Sequence, residues 1–351
     1  MPAANGVGLP GLSADSWIGV NEESTYGTKV GPTAATFTSF LDETLTDERP
    51  LLEAPVISQP HHDVNLVFPG VQRTRGTVTV PYVYEGLEEW LLHALGEING
   101  GASGASGTYT RNFDLADKGR WKKSASPGLS IHVSRGIVGS GATLPTVFSY
   151  LGCVVDTIEF ECKKDDVLRM KVGVISQQVD ALATSSVSVV LPTAPPAIFN
   201  EMVVTWGAAR VPCSRFKVMM KRNLDGDRAF SGDSIINEPP PTRYDVVQAE
   251  VDTEWDNEVR AGSVTLRADY LARTQRELKA AFTSTGNIGA TAQKYVTEIS
   301  LPVAIISGNF PNVKQTGRIP ITLKFNGYDS TVGTAPHELR VYQKNARNFT
   351  D

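Results

Sequence analysis

Two distant stretches of this chain share one layout, and that repetition limits what it can fold into more than any single residue does. Residues 75–96 (RGTVTVPYVYEGLEEWLLHALG) and 260–282 (RAGSVTLRADYLARTQRELKAAF) each open with a basic residue and a glycine. Each then runs through an alternating strand pattern into an amphipathic helical one. At an offset of 186 residues, Gly76, Val78, Val80, Leu92 and Ala94 meet Gly262, Val264, Leu266, Leu278 and Ala280. A weaker echo, at a different offset, joins FLDETLTDERPLL (40–52) to FKVMMKRNLDGDR (216–228). A period this long indicates tandem domains, not a solenoid. Two copies of a β-rich module without a catalytic motif point to a building block for assembly.

The length of 351 residues leaves room for about two domains, each with its own core. With 41% apolar and 20% charged residues, the composition is that of a globular chain. No apolar run approaches the ~20 residues that span a bilayer, so no membrane anchor is expected. The start, MPAANGVGLPGLSAD, lacks the basic and apolar regions of a secretory signal. A net charge of −5 argues against a large surface that grips nucleic acid. Cys153, Cys162 and Cys213 are too few and odd in number for a disulfide framework, and Cys162 reads as a small core residue.

The fold class expected is mainly β: two tandem sandwich or barrel modules, each with one flanking helix, plus extended arms and loops. Residues 1–16 read as an N-terminal arm, 17–192 as the first module, 198–329 as the second and 330–351 as a C-terminal arm. In the first module, Leu87, Leu91, Ala94, Leu95 and Ile98 mark a helix over about 85–98, with Glu85, Glu88 and Glu89 outside. The small-residue stretch 100–123 is a mobile loop or an extended hairpin reaching toward a partner. Residues 151–175 form a hairpin, with Ile158, Phe160 and Cys162 alternating inward and the turn at Lys163–Asp166. A second helix is expected near 269–282, burying Leu271, Thr274, Leu278 and Phe282.

Motif searches exclude more than they assign. Gly6-Val7-Gly8-Leu9-Pro10-Gly11 has the form of a dinucleotide fingerprint but no strand before it. Asn223 to Asp227 resembles the opening of a calcium loop, yet Ser234 stands where the bidentate glutamate belongs, so a turn is read there. His61, His62 and Asp63 point to opposite faces of an extended chain, and His93, His132 and His337 have no Cys or His partner nearby in sequence. No catalytic residue, cofactor or metal is expected. The most suggestive pattern is AEVDTEWDNEV (249–259): on a strand, Glu250, Asp252, Glu254, Asp256 and Glu258 would share one face. Two readings stay open, a solvated face that resists edge pairing or an acidic wall that repels polyanions.

The order of several short motifs resembles the major tail tube proteins of long-tailed (siphovirus-type) bacteriophages, in the form where the tube fold is duplicated in one chain. The motifs are WIGVNEESTYGT (17–28), FTSFLDETLTDERPLLEAP (37–55), VQRTRGTVTVPYVYEGLEEWLLHALG (71–96), the pair 150–161 and 168–174, NFPNVKQTGRIPITLKF (309–325) and HELRVYQKNAR (337–347). The resemblance implies a structural virion protein that polymerises into stacked rings, trimeric with pseudo-sixfold symmetry. These form the tail tube through which DNA passes as transient cargo. It also implies tape-measure and tail-tip or terminator partners, and assembly in the bacterial host cytoplasm. The acidic strand would then face the lumen. Trp17, Tyr109, Arg111, Phe113, Trp121, Leu339, Val341 and Tyr342 are the candidate contacts between subunits or rings. The competing readings are an inner tube protein of a contractile injection machine and a β-sandwich surface-binding module.

Overall fold

The computed structural model describes residues 16–32, 36–54, 66–104, 107–115, 128–138, 145–182, 187–254, 265–308, 320–328, 338–347 and 349. The first half of the chain contributes β1 (Trp17–Glu23), β2 (Thr36–Thr38), β3 (Asp42–Glu43), β4 (Thr46–Glu48), β5 (Leu51–Ala54), β6 (Leu66–Pro69) and β7 (Arg73–Pro81). After these come α1 (Glu88–Leu95), β8 (Gly96–Gly104), β9 (Thr108–Leu115), β10 (Gly128–Val138), β11 (Pro145–Lys163), β12 (Arg169–Ser176) and β13 (Gln178–Leu182). The second half contributes β14 (Met202–Trp206), β15 (Ala209–Arg210), β16 (Arg215–Lys221), β17 (Val246–Glu254) and α2 (Leu266–Ala272). It ends with β18 (Arg276–Asn287), β19 (Lys294–Ser307), β20 (Pro320–Gly327) and β21 (Arg340–Asn345). The fold is mainly β, and every ladder between these strands is antiparallel.

The pairing pattern recurs. In the first half the ladder runs β3/β4, β7, β12, β11, β10, β1, with β13 also on β11. In the second it runs β16, β17, β20, β19, β18, β14, with β21 also on β19. Strands take these places in the same chain order, and a helix follows β7 in one series and β17 in the other. The 186-residue alignment is therefore in the wrong register: β7 corresponds to β17, at 246–254, and not to the stretch after Arg260. Leu92 and Ala94 lie on α1, whereas Leu278 and Ala280 lie on strand β18.

The expected second helix is corrected by the same observation. Helix α2 stops at Ala272, where Arg273 turns left-handed (φ 53°), and Leu271 is exposed. Leu278, Ala280 and Phe282 are fully buried along β18, because even spacing meets a strand's period of two as well as a helix's i, i+4. Helix α1 is shorter than expected and ends at Gly96, whose φ of 91° favours glycine. Glu88, expected outside, is fully buried: it accepts hydrogen bonds from Gly86 N, Asn345 Nδ2 and Arg347 Nη1.

Long strands turn the corners between layers. Residues 147–151 of β11 pair with β13, and 157–163 pair with β16, with a register shift between Val155 and Thr157. Such an irregularity bends a strand, so its two ends can join different layers. One apolar core runs through both halves, from Ile18 and Trp90 to Trp206 and Val341. Among the strand ladders of the described residues, β11 on β16 and β21 lying between β19 and β9 join the halves. The stretch 100–123 thus contains part of a β8–β9 hairpin, and its β9 strand pairs within the chain. The stretch 330–351 likewise contains β21, although 330–337 lie outside the described residues. Among the described residues no helix is long and apolar enough to cross a membrane. The three cysteines are free, with Cys153 and Cys162 fully buried.

Candidate functional site: a sheet face of alternating charge

Six strands, β7, β12, β11, β16, β17 and β20, form one ladder that crosses from the first half to the second. One side packs on the core through Val78, Val172, Phe160, Val218, Val251 and Leu323, each at most 5% exposed. Strand alternation sends the neighbouring side chains to the opposite, open face. Glu250, Asp252 and Glu254 stand together there, with buried Val251 and Thr253 between them. Asp256 and Glu258 lie outside the described residues.

These carboxylates do not stand alone. Register places Arg169, Glu161, Lys217, Glu250 and Lys324 side by side on five successive strands, so the sign of the charge alternates across the sheet. Arg215 Nε donates to Glu161 Oε1 at 2.7 Å, and its Nη1 lies 3.5 Å from Glu250 and 3.6 Å from Asp252. Lys324 Nζ reaches Glu250 at 3.6 Å, and Lys217 Nζ reaches Glu159 at 2.9 Å. Burial raises the Glu161 carboxyl, but hydrogen bonds from Arg215 and Lys163 outweigh it and hold the group below its ordinary pKa. Partly exposed pairs of this kind contribute about 0.2–1 kcal/mol each, so their chief effect is to fix where charge sits. The face is mixed in sign, which the acidic strand read by itself could not reveal, because the cations come from β16 and β20.

The candidate contact residues divide by burial. Phe113, Leu339 and Val341 are fully buried in the chain's own core. Arg111 is also buried, donating to the carbonyls of Arg347 and Phe349 and to Asn345 Oδ1. Trp17, Tyr109 and Tyr342 remain partly exposed, Trp17 resting edge-on against Phe37 at 5.2 Å. Trp121 lies outside the described residues, as do His61, His62, Asp63 and the glycine-rich start. The calcium-like stretch forms a turn in which Asp225 Oδ1 accepts from Asp227 N and Asp227 pairs with Arg73 at 3.2 Å. Trp90 and Trp206 are buried, and among the described residues the tryptophans form no exposed cluster of the kind a glycan-binding surface needs.

One group among the described residues has metal-ligand chemistry: Glu22 on β1 with Glu89 and His93 on α1. The i, i+4 spacing of Glu89 and His93 was visible in the sequence. Glu22 was not, because a strand far away in the chain supplies it.

The model of the phage tail tube protein family matches residues 13–327, most of the chain. The chain belongs to that family. No curated protein matches it. Membership makes it a structural protein and not an enzyme, and places it in the virion tail. A tail tube protein self-assembles into a tube and associates with other tail proteins, so its functional sites are surfaces.

Proposed function

We propose that this tail tube protein is a duplicated form, of siphovirus type, that polymerises into stacked rings through which DNA is ejected. The observation that carries this reading is the recurring pairing series, joined within the chain by β11 on β16. Two modules whose sheets run into each other inside one chain provide a template for how the sheet continues into the next copy. By the recurrence, β3 and β4 hold the place of β16. The outer edge of β3 and β4 is therefore the edge to which a neighbouring copy adds. Three copies close a ring with pseudo-sixfold symmetry, and closure removes the exposed edges.

The open face then lines the lumen, with Glu250, Asp252 and Glu254 on its wall. Duplex DNA carries a charge about every 1.7 Å, and each free lysine or arginine on the wall would add a contact along the whole tube. Alternating carboxylates hold the wall's cations within the ~8 Å screening length, so DNA remains transient cargo. Trp17, Tyr109 and Tyr342 are the proposed contacts between copies. Tape-measure and tail-tip or terminator proteins are the proposed partners at the tube's ends. The test is negative-stain microscopy and sedimentation of the concentrated protein, with and without tail-initiating components. Rings or tubes support the reading, and a monomer under every condition contradicts it.

A further inference from the structure

We propose that Glu22, Glu89 and His93 form a binding site for one divalent transition-metal ion, Zn²⁺ before Mn²⁺, at the contact between α1 and β1. Their ligand atoms lie within 4.8 Å of one another, and His93 Nε2 is 3.2 Å from Glu22 Oε1. Two ligands about 2.0–2.2 Å from a shared zinc stand roughly 3–3.5 Å apart, so the His93–Glu22 spacing already fits, and a rotation of the Glu89 carboxylate closes the set.

The ligands are held by packed elements. Glu22 follows the buried Ile18 and Val20 on one face of β1, and β1 is fixed in register on β10 with Glu22 opposite Leu129. Glu89 and His93 lie one turn apart on α1, whose Trp90, Leu91, Leu92 and Leu95 are all buried. The His93 side chain is 4% exposed and that of Glu22 is 30% exposed, so a buried imidazole meets a carboxylate that an ion can reach from solvent.

The other half of the chain shows what such a junction requires. By the recurring pairing, β14 and α2 hold the places of β1 and α1. There Asp269 on α2 accepts from Trp206 Nε1 at 2.8 Å and pairs with Arg276 at 2.8 Å. A carboxylate at the helix–strand contact thus faces a guanidinium. The first junction gathers two carboxylates and an imidazole, two oxygen donors and one nitrogen donor of the kind that hold a divalent transition metal. The nitrogen ligand favours zinc over manganese, calcium and magnesium, which prefer oxygen donors.

The site is independent of the lumen reading, so its failure would leave that reading untouched. The test uses the full chain, stripped with a chelator and titrated by calorimetry with Zn²⁺, Mn²⁺ and Ca²⁺. The expected result is one Zn²⁺ per chain, weaker Mn²⁺, no saturable Ca²⁺, and loss of saturable Zn²⁺ binding in the Glu22→Gln/His93→Gln double variant. Glu89→Gln should weaken binding at least about tenfold. Circular dichroism of each variant in chelator confirms folding. Co²⁺ substitution gives a second readout through its visible absorption, which should report nitrogen and oxygen ligation in the wild type only. The proposal is overturned if the wild type takes up no ion, or if the folded double variant binds Zn²⁺ as tightly as the wild type.

Discussion

Replacing Glu250 with lysine tests whether the alternating ladder matters energetically. Glu250 lies opposite Lys217 on β16 and Lys324 on β20, with Arg215 Nη1 at 3.5 Å. The substitution removes attraction to these cations and places a fourth positive charge among them. Each lost pair is worth about 0.2–1 kcal/mol, and each like-charge pair directly across the sheet costs a similar amount. Three lost attractions and two cross-strand repulsions sum to about 1–5 kcal/mol of lost stability. Glu250→Gln removes the attraction without adding repulsion, so about half that loss is expected. Raising salt from 0.15 M to 1 M shortens the screening length from ~8 Å to ~3 Å and should recover much of the Glu250→Lys deficit. Urea unfolding of wild type and both variants at the two salt concentrations measures this. Equal stability of all three proteins, or a deficit that salt leaves unchanged, would refute the electrostatic reasoning.

Three further outcomes are expected. Asp269→Ala leaves buried Trp206 Nε1 and Arg276 without their shared carboxylate, and should cost about 2–4 kcal/mol in urea unfolding. Burial pushes the His132 imidazole down to about 4, with Lys29 adding to the shift against a hydrogen bond the ring donates to the Val30 backbone. Since the unfolded ring titrates near ~6.5, the unfolded chain binds a proton the folded chain does not, and stability is lost as pH falls from about 6.5 toward 4, by up to about 3 kcal/mol. In His132→Gln that part of the loss should be missing when urea midpoints are compared across this range. Arg111→Met frees the carbonyls of Arg347 and Phe349 from their buried donor; trypsin should then cleave after Lys344 and Arg347 faster than in the wild type, and an unchanged rate would argue against Arg111 holding this segment in place.

Strand alternation made the β face legible in the sequence. Ile158, Phe160 and Cys162 all face the core as their spacing requires, and Glu250, Asp252 and Glu254 share the opposite side of β17. Register between distant strands was not legible. Nothing local places Lys217 and Lys324 on either side of Glu250, so a mixed wall read as an acidic one. The stretch 276–282 was misread as helix because Leu278 and Phe282 satisfy both periods, and the winning term was tertiary: pairing with β14 on one side and β19 on the other. Buried Glu88 and Arg111 were hidden for a related reason, since their partners Asn345 and Arg347 lie at the far end of the chain.

In the proposed assembly, the open face crossing from β7 to β20 becomes the wall of a lumen in a ring of three duplicated subunits. A cryo-electron microscopy reconstruction of assembled tubes tests it most directly. The expected map shows three chains per ring, a neighbouring copy's strand paired on the outer edge of β3 and β4, and Glu161, Arg215, Glu250, Asp252 and Lys324 facing the channel. Tubes with these side chains on the outer surface, or with β3 and β4 unpaired and facing solvent, would contradict it.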